Sequence, residues 1–264
     1  MHHLLILTLF AVFVFSTTLQ AATTINRKSR PVVTPIKKLV PARLRVRPRG
    51  PRRVPVVNWA KVNKEAKAAT RTAIGYWCQT SKVKRGSING SLLSIPPNSL
   101  EGMNFSNLMK SLMIAKGTDK KIARAYAMAL WQGWSHWSAS YVISYQAFPG
   151  FNAFPGPVAP PTLAIPIPLA TGRSSKALLN PNFLARQILL NHSALLNDPA
   201  AKKATRQYAD WFMQRFNIWL ASRQLKNIYG TGPVSGYAPP FVVVGTVMGG
   251  RIIPTAAVVQ CSSF

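Results

Sequence analysis

Residues 118–137 read TDKKIARAYAMALWQGWSHW. Ile122, Tyr126, Ala129, Leu130, Gly133, Trp134 and Trp137 recur at i, i+4, i+7, i+8, i+11, i+12 and i+15, which is one apolar face of a helix. Asp119 in the first turn complements the helix dipole. The helix is expected to end before Pro149. This periodicity makes the expected fold class mainly α.

Further helices are expected on both sides. Asn58 is a candidate N-cap for a helix from Trp59 to Cys78, with Val62, Ala66 and Ala69 at helical spacing. A short helix is expected from about Phe105 to Lys116, closed by Gly117. Pro181 to Leu196 reads as helix, and Asp198-Pro199 is a cap followed by an N1 proline. The helix after it should run to about Ile228, stopped by Gly230, with Tyr208, Phe212, Phe216 and Trp219 on one face. Residues 84–99 read as loop, because Gly86, Gly90 and Pro96-Pro97 punctuate them. The run Phe241-Val-Val-Val suggests a short C-terminal strand or hairpin and not a full sheet. The expectation is a compact helical domain over 58–264 with two long irregular segments: a neutral Pro-rich one at 148–172 and a neutral Gly/Pro-rich tail at 227–264.

The charge is distributed unevenly. The 264 residues carry 33 Lys+Arg against 5 Asp+Glu, a net charge of +28, although only 14% of residues are charged. The excess therefore comes from missing acids. With 48% apolar residues the chain can build a core, which excludes a wholly disordered polybasic chain. The shortage of carboxylates disfavours large Ca²⁺ sites and two-metal sites, and no cofactor or metal site is expected. Eleven bases fall in residues 22–53 without one acid: Arg27, Lys28, Arg30, Lys37, Lys38, Arg43, Arg45, Arg47, Arg49, Arg52 and Arg53. Five prolines among them prevent a continuous helix, so 22–57 is expected to be an extended, flexible arm. No aromatic residue lies between these bases, which points to backbone or headgroup contact and away from base stacking. Residues 54–264 still hold 22 bases and 5 acids. Lys202, Lys203 and Arg206 on the last helix complete the expected contact set for an anionic polymer or surface: nucleic acid, anionic lipid or an envelope polymer.

Ahead of the arm, Leu4 to Phe15 is apolar except for Thr8, with small residues behind it. That matches a secretory signal peptide over residues 1–21 and is short for a span, which needs about 20 apolar residues. An uncleaved anchor over residues 4–19 stays open as well, because the positive charge follows the apolar run. The two cysteines, Cys78 and Cys261, are candidates for a disulfide in an oxidising compartment. The bridge would close a loop of about 180 residues, and chain entropy would give it about 5 kcal/mol. Two unrelated buried thiols is the alternative.

Residues 125–172 contain no Asp, Glu, Lys or Arg. Trp131, Trp134, Trp137, Tyr141, Phe148, Phe151 and Phe154 in this block are expected to pack against a core, a partner subunit or a lipid surface. A core helix with one apolar stripe is the simplest form of this. Catalysis finds little support. His136 and His192 have no orienting acid in the sequence pattern, and no Gly-x-Ser-x-Gly, Walker A or His-Glu-x-x-His motif is present. The charge pattern supports a non-enzymatic, exported or membrane-anchored structural or assembly protein, such as a virion or cell-envelope component. Its cationic segments would hold an anionic partner and its neutral segments would pack, in a homo- or hetero-assembly. Two other classes stay open. One is a membrane-active cationic effector working through 125–172. The other is a hydrolase centred on His136 or His192.

Overall fold

Short polar caps set the helix starts. The Asn58 side chain accepts from the Lys61 N–H at 3.0 Å and opens α1 (Trp59–Thr80). Asp119 accepts from Lys121 and Ile122 N–H groups at 2.8 and 3.2 Å and opens α3 (Lys120–Ser140). Between them, α2 (Ser106–Ala115) closes at Gly117, whose φ of +90° permits a left-handed exit. There the Gly117 and Thr118 N–H groups donate to Ile114 and Met113 carbonyls, a Schellman closure. Asn180 with Pro181 opens α4 (Pro181–Leu190), and Asp198 with Pro199 opens α5 (Pro199–Ser222). The computed structural model describes residues 57–149, 157–233, 247–261 and 264, all within the unit Pro55–Phe264. The arm bases Arg27 to Arg53, the apolar N-terminal segment, Phe151, Phe154 and the Phe241-Val-Val-Val run lie outside the described residues.

The fold is mixed α/β, which corrects the expected mainly-α class. Ten strands accompany the five α-helices among the described residues. They are β1 (Lys82–Val83), β2 (Ser87–Gly90), β3 (Leu92–Ile95), β4 (Leu100–Glu101), β5 (Ile143–Ala147), β6 (Val158–Leu163), β7 (Ile167–Pro168), β8 (Gln224–Leu225), β9 (Tyr229–Pro233) and β10 (Val247–Ile253). Six form one antiparallel sheet in the order β5-β3-β2-β10-β9-β6. β1 pairs with β4, and β7 with β8.

Each misread stretch has a physical reason. The 84–99 loop is a hairpin: Asn89 pairs with Leu92, and Gly90 takes a φ of +64° at the tight turn. Its strands are four residues long, too short to display a clear alternation. The segment after Ser140 leaves the helix and becomes β5. β6, with the sequence VAPPTL, tolerates Pro160 and Pro161 because it is an edge strand. β9 reads YGTGP, and a methyl group at Gly230 would overlap Ile88 and crowd Phe148 at 2.8 Å. Glycine is there to let the sheet's buried side chains close over it. α5 stops at Ser222, short of Ile228, and α4 stops at Leu190, so the ends of both expected helices were too late.

The helices pack α2 and α4 against α3, and α2 and α5 against α1, with α4 also on α5. Their shared core is aromatic. Trp134 has ring centroids at 5.2 Å from Trp77, 5.0 Å from Trp137, 5.6 Å from Phe216 and 5.3 Å from Trp219. These rings are fully or almost fully buried. The indole N–H groups of Trp77, Trp134, Trp137 and Trp219 have no hydrogen-bond partner. Most of the contacts are tilted or T-shaped, which presents positive ring edges to neighbouring π faces. A small buried polar network pins three helices. Asn63 of α1 donates to the Ala204 carbonyl of α5 at 3.0 Å and accepts from Tyr126 of α3 at 3.1 Å. Thr70 of α1 and Tyr208 of α5 share a hydrogen bond at 2.7 Å.

Candidate functional site

All five carboxylates of the chain are engaged in local structure. Asp119 and Asp198 cap α3 and α5. Asp210 pairs with Arg206 at 3.0 Å, one turn away on α5. Glu65 accepts from the Thr118 hydroxyl and sits 3.7 Å from the Lys61 ammonium. Glu101 holds Lys82 at 3.2 Å and contacts Lys84 as well. Burial alone would raise the Glu101 carboxyl, but the two lysines outweigh it and hold it below its usual range. Among the described residues, ion pairs with these carboxylates engage Lys61, Lys82, Lys84 and Arg206.

Six of the other bases, Arg85, Lys110, Lys121, Arg124, Arg173 and Lys176, line concave surfaces. A cavity of about 200 Å³ is lined by Ser106, Asn107 and Lys110 of α2 and by Arg124, Ala127 and Met128 of α3. A second, of about 380 Å³, lies on the other side of Arg124 and is lined by Lys121, Arg124, Met128, Asn191 and His192. Lys121, Arg124 and Met128 stand at i, i+3 and i+7, so the two cavities share one outward stripe of α3. A third, of about 500 Å³, takes in Arg173, Lys176 and Asn217. A fourth, of about 540 Å³, includes Arg85, Ser94 and Tyr145. Every one of these four has at least one Arg or Lys in its wall and no Asp or Glu.

Among the residues expected from sequence, Lys202 and Lys203 are exposed on the first turn of α5. Neither they nor Arg206 lines the four cavities, and Arg206 is committed to Asp210. Lys110, Lys121, Arg124 and His192 were missed as a group. The outward stripe of α3 was legible from its spacing, but its meeting with α2 and the end of α4 is a tertiary fact. Trp134, Trp137, Tyr141 and Phe148 are buried in the core, and Trp131 is partly buried against Phe105 at 5.2 Å. These side chains are committed to packing within this unit. Among the described residues no helix is long and apolar enough to cross a membrane.

His136 shares a hydrogen bond with Ser175 at 3.1 Å, and both lie at the surface. A nucleophile–base pair of this kind needs a third group to orient the imidazole. The five carboxylates all have other partners, so no acid serves that role. His192 lines the basic cavity beside Arg124 and Lys121.

The two cysteines come together. Cys78 is buried near the end of α1, and Cys261 is exposed, its thiol donating to the Val259 carbonyl at 3.3 Å. Burial pushes the Cys78 thiol far up, with Cys261 adding to the effect, and Arg223 nearby pulls in the opposite direction. Comparison with known protein families, with curated proteins and with solved structures returned no match. The functional reading therefore rests on this surface chemistry.

Proposed function

We propose that this chain is a non-enzymatic, exported or membrane-anchored binding and assembly protein for an anionic polymer. The arm at 22–53 supplies sequence-independent attraction, and the Arg124 groove on the helical layer supplies a shaped contact. One observation carries the reading: four cavities each have one or two bases and no carboxylate in their walls, while all five side-chain carboxylates are engaged in caps and ion pairs. Arg124 lines two of these cavities, with Lys110 beside it in one and Lys121 in the other. The ligand chemistry this suits is a chain of phosphate or sulfate groups, met by Lys121, Arg124 and Lys110 in succession.

The test is retention of the full chain on a phosphate-bearing and a sulfate-bearing resin under stepped salt. Deleting 22–53 should remove most of the salt-sensitive retention and leave the fold intact. Lys121→Ala with Arg124→Ala should remove a further part. Unchanged retention in both variants would overturn the reading.

A further inference from the structure

The last described residues do not trail away from the domain. The Val258 N–H donates to the Ser81 carbonyl at 3.1 Å, and the Val259 N–H donates to the Ser81 hydroxyl at 3.0 Å. Ser81 is fully buried, and its own hydroxyl donates to the Cys78 carbonyl at 2.7 Å, closing α1. On its other side the tail meets β8: the Gln260 N–H donates to the Gln224 carbonyl at 3.0 Å, and Leu225 bridges Val259. Beyond Cys261, the Phe264 ring lies 5.6 Å from Phe212 and 6.1 Å from Trp219. The tail is thus anchored before and after Cys261, and this brings Cys261 to the end of α1 that carries Cys78, which is 183 positions earlier in the chain.

We infer that Cys78 and Cys261 form an intramolecular disulfide that fastens the C-terminal segment to the end of α1. The chain has only these two cysteines, and the hydrogen bonds of Val258 and Val259 to Ser81 bring the second to the end of α1 that carries the first. A metal site would need more donors than two thiolates, and no group of three or more His, Cys, Asp or Glu side chains among the described residues could supply them. The exposure of the two thiols sets the order of events. The Cys261 thiolate attacks a disulfide oxidant, RSSR, forming a mixed disulfide and releasing one RS⁻. Cys78 then loses its proton to solvent and attacks the Cys261 sulfur, expelling the second RS⁻. Two cysteine thiols lose two protons and two electrons, and one RSSR becomes two RSH. The charge of Arg223 favours the thiolate form of both cysteines. This pairing is independent of the anion-binding reading.

The full chain, purified reduced, is equilibrated with oxidised glutathione, then denatured and alkylated without reductant. The expected result is a monomer with neither thiol alkylated and no retained glutathione, and with a cross-linked peptide joining Cys78 to Cys261. Two alkylated thiols, glutathione held on Cys261, or a disulfide-linked dimer would each overturn the inference. Cys78→Ala removes a buried side chain and is liable to misfold, so Cys261→Ser is the variant of choice. The oxidised protein should melt roughly 10–20 °C above the reduced protein. Cys261→Ser should melt with the reduced protein whether or not oxidant is present. Equal melting of oxidised and reduced wild-type chains would show that the bridge fastens nothing.

Discussion

Trp134 and Arg124 occupy the same helix, α3, and meet opposite demands. Trp134 faces inward, fully buried, with rings from α1, α3 and α5 around it. Arg124 faces outward between two cavities, beside Lys121 and within reach of elements from α2 and the end of α4. The first region is fully matched in shape and leaves only indole N–H groups without acceptors. The second is unmatched in charge, with no carboxylate in its walls. One helix therefore carries the fold on one face and the candidate contact surface on the other. If this division holds, substitutions inside should change stability without changing binding per folded molecule, and substitutions outside should do the reverse.

The largest effect belongs to the inner face. Trp134→Ala deletes the ring at the centre of the aromatic cluster and leaves a cavity, at a cost of about 3–5 kcal/mol. Urea unfolding should show the loss. The molecules that remain folded should elute from an anionic resin at the wild-type salt concentration. A changed elution point would tie the two faces of α3 together.

Gly230→Ala tests the sheet in the same way, since the added methyl would overlap Ile88 and crowd Phe148. Overpacking of this kind costs about 1–3 kcal/mol. The melting temperature should fall, while polymer retention stays the same. A neutral result would mean that the β9 backbone can move away from β2 without strain.

The outer face is tested by Lys121→Ala with Arg124→Ala. Each base that neutralises one phosphate contributes about 0.9 to the slope of log K against log salt. The double variant should bind roughly tenfold more weakly near ~0.1 M salt and show a slope shallower by about 2. Its unfolding free energy should stay within about 0.5 kcal/mol of wild type, because both side chains are exposed. An unchanged slope would remove the groove from the contact surface and leave the arm alone.

What the sequence disclosed follows the same divide between local and non-local causes. Helix starts were legible because a cap acts on residues two or three positions away: Asn58, Asp119 and Asp198 each do so. The inward stripe of α3 was legible because helical periodicity repeats within one element. The six-stranded sheet was hidden because its strands are short and paired with distant segments. β10 pairs with β2 more than 150 positions earlier in the chain. β6 and β9 carry Pro and Gly, residues that read as loop until their neighbours are known. The cationic site divided in the same way. Lys202, Lys203 and Arg206 stood out because they cluster in sequence, whereas Lys110, Arg124 and His192 cluster only in space.

The smallest expected effect is at Glu101, which lines none of the four cavities and so belongs to the fold alone. Lys84 and Lys82 hold its carboxyl below the usual range despite the opposing effect of burial. The folded state therefore binds this proton less tightly than the unfolded chain does. The pair's contribution is fully present above the unfolded carboxylate value of about 4.3 and is lost as pH falls through the lower folded value. The carboxylate side chain is 34% exposed and the lysines 46% and 47%, so solvent screening keeps the contribution below about 1 kcal/mol. Glu101→Gln should lower the urea midpoint slightly at pH 7, and the difference from wild type should shrink as the solution is made acid or salty. Its polymer retention should not fall, because the substitution frees two lysines instead of removing any base. A fall in retention would mean that the acidic side chains also shape the binding surface, and the separation seen on α3 would not extend to the rest of the molecule.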